Sequence, residues 1–145
     1  MKIMNNKLVS PIKQLLLPFL IVLTCIFYFS RIIPKDFSSL LPGSDSIING
    51  CIINSIGQKP LELDENDLIK FLSILKDTQY YYNGHYGDTL VGNLYRIEFL
   101  ERNNGLQSVV LTMIISDEDI AYIGNKQYNI HSESISITDF LHSLY

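Results

Sequence analysis

From Leu15 to Ser30 the chain runs sixteen residues without a charge (LLLPFLIVLTCIFYFS), in a protein of 145. A run like this has three destinations: it crosses a bilayer, it is removed as a signal, or it fills a core. Sixteen residues of helix measure about 24 Å, less than the ~30 Å of bilayer hydrocarbon. The flanks extend it. Ser10-Pro11 reads as an N-cap followed by proline at the first helical position, where the missing N–H costs nothing. Pro34 disfavours helical geometry at Ile33 and marks the stop. A helix over 11–33 would measure about 34 Å, enough to cross with some tilt. Lys13 and Arg31 then lie near its ends, within snorkelling reach of the headgroups. Pro18 removes a hydrogen bond to Gln14 near the interface, so a modest kink is expected.

A cleaved signal would place a small-x-small site just after its apolar core, whereas here Arg31-Ile32-Ile33 follows. A lipoprotein signal is poorly matched by Val22-Leu23-Thr24-Cys25-Ile26, since the apolar run continues past the cysteine. A buried helix has little use for apolar residues on every face over 23 positions. The reading is a single-pass anchor that meets the lipid bilayer through residues 11–33 of the cell membrane. Lys2, Lys7 and Lys13 precede it against Arg31 and Lys35 after it, which favours an inside N-terminus and an extracytoplasmic C-terminal domain.

Charge divides the chain in the same place. Residues 1–35 hold five Lys/Arg and no acid, while residues 36–145 hold six Lys/Arg against fifteen Asp/Glu, a balance of −9. A domain so acidic repels phosphate backbones, so nucleic acid is not an expected partner. Its two cysteines, Cys25 in the anchor and Cys51 beyond it, form no disulfide framework. Cys51 reads as a small buried hydrophobe.

Four segments are expected: a short tail (1–10), the anchor (11–33), a Pro-, Gly- and Ser-containing linker (34–46) and a small domain (47–145). In the domain, Ile47–Ile56 is β-branched and suits a buried strand. A helix begins at Asp64, with Asp67 completing a capping box and Leu63 and Leu68 a hydrophobic staple. Its apolar stripe is Leu68, Leu72 and Leu75, widened by Ile69, Phe71 and Ile74. Tyr80 to Gly92 reads as a loop. Leu94–Arg102 alternates, Asn104-Gly105 is a hairpin signal, and strands follow over 108–115, 120–123 and 127–131. Ser136 caps a last helix. The fold class is α+β: an N-terminal transmembrane helix, then a small antiparallel sheet in the order β-α-β-β-β-β-α with two helices on one face.

Chemistry-bearing motifs are absent. His85, His131 and His142 lack metal-ligand spacing, Asp117-Glu118-Asp119 lacks the alternation of a calcium loop, and no GxSxG, phosphate loop or HExxH occurs. No cofactor, metal or catalytic residue is assigned, and catalysis is disfavoured. The candidate site is the tyrosine-rich stretch from Tyr80 to Asp88, with Tyr81, Tyr82, His85 and Tyr86 as partner-binding residues. Tyrosine gives large amphipathic contact area at low entropy cost, and the interspersed Asn, Gly and His adapt around it. The expected role is a non-catalytic binding module whose partner is an envelope protein, a cationic peptide or a glycan. Two alternatives stand beside it: an immunity-type or inhibitory protein that neutralises a basic toxin or wall enzyme, and a metal-assisted hydrolase that gathers the dispersed histidines in space.

Overall fold

The computed structural model describes residues 9–42, 47–85, 90, 92–103 and 105–145. The chain divides after Ile33 into two compact units.

The first unit contains helix α1, Val9–Ile32. Its 24 residues measure about 36 Å. Pro18 lies inside it without ending it, and the last turn closes with the Ile33 N–H donating to the Phe29 carbonyl at 3.0 Å. The window Leu15–Ile32 has no buried residue and is long and apolar enough to cross a membrane. A buried core helix does not fit that exposure. The two aliphatic hydroxyls in the window bond back to their own helix, Thr24 Oγ1 to the Leu20 carbonyl at 2.7 Å and Ser30 Oγ to the Phe27 carbonyl at 2.8 Å. In lipid, where water cannot serve them, such internal bonds keep polar groups satisfied. The Arg31 guanidinium lies 4.6 Å from the centre of the Phe27 ring.

The second unit, Pro34–Tyr145, is an α+β domain. Its strands are β1 (Gly50–Ser55), β2 (Leu61–Glu62), β3 (Thr78–His85), β4 (Leu94–Asn103), β5 (Leu106–Ser116), β6 (Ile120–Ile123) and β7 (Lys126–Ser132). Its helices are α2 (Glu65–Lys76) and α3 (Ile137–Ser143). All seven strands form one antiparallel sheet in the order β2-β1-β4-β5-β6-β7-β3. Strands β4 to β7 are the meander that the turn signals imply. Helix α2 carries the chain from the β1 side to the far edge, where β3 pairs with β7.

Alternation selects the covered face. Cys51 and Ile53, Tyr95, Ile97 and Phe99, Leu111, Met113 and Ile115, and Tyr128 are buried at matching register positions. Both helices lie over this face: the Phe71 ring of α2 stacks at 5.1 Å on Phe140 of α3 and at 6.2 Å on Phe99 of β4. Each fully buried apolar side chain contributes about 1.5–3 kcal/mol. The capping signals of α2 are realised, with the Asp64 carboxylate accepting the Asp67 N–H at 2.9 Å and both Leu63 and Leu68 buried. Its stripe is narrower than the spacing suggests, since Leu72 is half-buried and Ile69 is 62 % exposed.

Three departures from the sequence reading concern how much of the chain is structured. Strand β2 is an addition of two residues. The segment from Tyr80, expected as a loop, is β3 as far as His85. Its residues alternate, with Thr78 and Tyr80 buried and Tyr81 half-buried on the other face, and tyrosine favours such a half-buried pleated surface. Finally, 34–46 is no free linker over its described part. The Lys35 N–H donates to the Tyr80 carbonyl at 2.9 Å and the Tyr80 N–H returns to the Lys35 carbonyl at 3.1 Å. A 3-10 turn, Phe37–Leu40, then drops Phe37 into the core at 2 % exposure, 5.4 Å from the Phe99 ring and 6.4 Å from that of Tyr80. This segment is a strap. Residues 43–46 and Asn104 of the hairpin signal lie outside the described residues.

Candidate functional site

Strand β3 sets the geometry of the tyrosine stretch. Tyr80 is fully buried, its hydroxyl donating to the Leu75 carbonyl at 3.5 Å, and burial raises its phenol far above the usual range. It is a core residue. Tyr81 lies on the opposite face, where its hydroxyl donates to Gln79 Oε1 at 2.6 Å. Tyr82 returns to the covered side at the sheet's edge. Its ring meets that of Tyr128 edge-on at 5.9 Å, and burial followed by the Tyr82 neighbour raises the Tyr128 phenol.

His85 joins Tyr82 through an irregularity. Three residues apart on a regular strand, the two side chains would face opposite ways. The register shifts between them, with Gly84 at φ 106°, a conformation suited to glycine. The Tyr82 hydroxyl and His85 Nδ1 are therefore 3.1 Å apart, with the rings nearly perpendicular at 6.0 Å. Asn83 Nδ2 donates to Asn129 Oδ1 at 3.2 Å and ties this edge to β7. Tyr82, His85 and Tyr128 thus form one aromatic cluster with hydrogen-bonding tips. Tyr81 is separated from it by the sheet, and Tyr86 lies outside the described residues.

The cluster includes one residue that sequence reasoning missed. Tyr128 is brought in by the β3–β7 pairing, where it is the register partner of Tyr82. The available signal was the alternation of Tyr128 with Ile130 in a strand facing the core.

Other candidate groups serve the fold. Cys51 is buried in β1, and desolvation pushes its thiol up to about 12, which removes it as a nucleophile at ordinary pH. The acidic turn is a pin rather than a solvated bend. The Asp117 carboxylate accepts from the Asn93 N–H at 3.0 Å and from Asn93 Nδ2 at 2.8 Å, and Asp119 Oδ1 accepts from Thr138 Oγ1 at 3.2 Å. His131 and His142 lie on β7 and α3, the latter with its ring 5.8 Å from Tyr95. Among the described residues no group of three or more His, Cys, Asp or Glu is arranged to hold a metal ion.

Compared with family models, curated proteins and solved structures, the chain matches none.

Proposed function

We propose that this chain is a single-pass membrane protein that presents an acidic α+β module outside the cytoplasmic membrane and acts by binding. The observation that carries the reading is the wholly exposed apolar window Leu15–Ile32, whose Thr24 and Ser30 hydroxyls bond back to the helix. A folded domain with a balance of −9 in residues 36–145 follows it. Such a domain is repelled by an anionic leaflet and attracts basic groups. The excess of Lys residues before the span supports an inside N-terminus.

The recognition surface in this reading is Tyr82 and His85 at the β3 edge, backed from beneath by the buried Tyr128, with the stretch beyond His85 beside them in sequence. The half-buried Tyr82 and the exposed His85, each an aromatic ring with a hydrogen-bonding tip, suit an envelope protein, a cationic peptide or the faces of a glycan. The test is crosslinking in native membranes followed by mass spectrometry, with wild type beside Tyr82→Ala plus His85→Ala. Loss of one captured partner in the double variant, at unchanged expression and membrane fraction, supports the reading. Equal capture refutes the surface, and full-length protein in the soluble fraction refutes the anchor.

The charge balance favours one second reading, an inhibitor of a basic toxin or wall enzyme. Cells lacking the gene are then sensitised to that agent, whereas equal sensitivity rejects it.

A further inference from the structure

The sheet has a gap in its middle. Strand β5 covers Leu106–Ser116, whereas β6 pairs with it only over Met113–Ser116. Along Leu106–Thr112 the edge of β5 that faces away from β4 has no partner strand among the described residues. Folded proteins usually blunt such an edge with charges, proline or a bulge. Residues 103–116 include no charge and no proline. The one such device among the described residues is a bulge in β5 itself, where Val110 is the extra residue between the pairs Leu100–Val109 and Phe99–Leu111. Leu106 and Val109 are 77 % and 52 % exposed. The edge is uncharged, with Gln107, Ser108 and Thr112 between its apolar residues.

Next to it the strap and the β6–β7 turn enclose a notch of about 490 Å³, lined among others by Leu40, Val110, Leu111 and Thr112. Lys35 and Lys126 also line it, and no Asp or Glu does among the described residues. Two of the seven cations of the unit 34–145 therefore converge on one notch of an otherwise acidic domain.

We propose that this edge and notch receive an extended segment of a partner protein, added as a strand antiparallel to β5 and in line with β6. The segment carries apolar residues at alternate positions and an aspartate or glutamate at the end that meets Lys35 and Lys126. Main-chain bonds to the free edge supply affinity, the alternate residues reach Leu40 and Leu111, and the acid supplies register. β6 blocks the ladder at Met113, so the added strand ends there, beside the lysines. A second copy of this chain is the poorer occupant. Its own β5 has no carboxylate to offer, and it brings a like-charged domain with it.

The proposal rests on the reading of the domain as a binding module but not on Tyr82 or His85, although the buried Tyr128 behind them also lines the notch. Its test uses full-length protein in detergent micelles and a dye-labelled eight-residue peptide that alternates valine and threonine after an initial glutamate. Saturable binding by fluorescence anisotropy is expected. Lys35→Glu plus Lys126→Glu weakens it about tenfold, as two exposed ion pairs would, and replacing the glutamate by lysine restores binding to that variant. N-methylation of alternate peptide amides, which leaves every side chain in place, abolishes binding. Equal affinity for the N-methylated peptide, or indifference to charge reversal, overturns the proposal. So does spontaneous disulfide dimerisation of Val109→Cys that the peptide fails to block, because the edge then belongs to a second copy. If the peptide does not bind while membrane crosslinking through the tyrosine cluster still captures a partner, the strand-addition site alone is lost.

Discussion

Phe37→Ala asks whether the strap belongs to the domain. The Phe37 ring is 2 % exposed and lies between the rings of Phe99 and Tyr80. Truncating a buried phenylalanine loses its transfer free energy and leaves a cavity, about 3–5 kcal/mol together. The unit 34–145 is of a size whose whole stability is about 5–15 kcal/mol, so the loss is about a fifth of it or more. With a urea slope of about 1–3 kcal/mol/M, the unfolding midpoint falls by about 2 M. Full-length protein in mild detergent, followed by near-ultraviolet circular dichroism, reads this out, because eight of the nine tyrosines lie in 34–145 and only Tyr28 lies in α1. Ser38→Ala, one residue away and exposed, is the control and stays within about 0.5 kcal/mol. Lys35→Pro isolates the backbone bridge: it removes the N–H that donates to Tyr80 and costs about 1 kcal/mol. A midpoint shift for Phe37→Ala no larger than that of Ser38→Ala would mean that the aromatic is in water and the strap undocked.

Three further outcomes concern Cys51, Gly92 and Asp64. The Cys51 thiol is held neutral when folded, so stability is complete below its ordinary value of 9.0 and declines as pH rises toward about 12, by at most about 4 kcal/mol. Cys51→Ala flattens the urea-midpoint slope between pH 9 and 10, while Tyr80→Phe flattens it above pH 10; a wild-type midpoint equal at pH 7.5 and 10.5 contradicts both. Gly92→Ala destabilises by at least about 1 kcal/mol in urea, because Gly92 has φ 88° and its new Cβ would overlap the Asp117 carboxylate. An unchanged midpoint rejects the Asn93–Asp117 staple as drawn. Asp64→Ala at the start of α2 removes the bond to the Asp67 N–H and lowers stability by about 1 kcal/mol, whereas Asp64→Asn retains most of it.

Legibility in the sequence tracked how local each signal is. The caps of α2 and the β4–β7 meander were readable because Asp64, Asp67 and the turn residues act within three or four positions of themselves. Strand β3 was not, since the Tyr80–Tyr82 run shows its alternation only once Ile130 and Tyr128 of β7 lie opposite. A lone phenylalanine among serines and prolines carries no period, so Phe37 gave no hint that the strap docks. The pairing of Tyr82 with His85 depends on a register shift that no spacing rule foretells. The notch is the least local feature. It arises from a difference in length between β5 and β6, and its two lysines are 91 positions apart in the chain.

Cys51 also makes the protein its own reporter. The sulfur sits in β1 opposite Phe99 and shielded from water, so a polar maleimide reaches it only when that strand peels away. In a Cys25→Ser background it is the sole thiol of the chain, and its labelling rate in intact membranes counts openings of the sheet without any engineered probe. Anything that docks on the domain and steadies β1 would slow that clock.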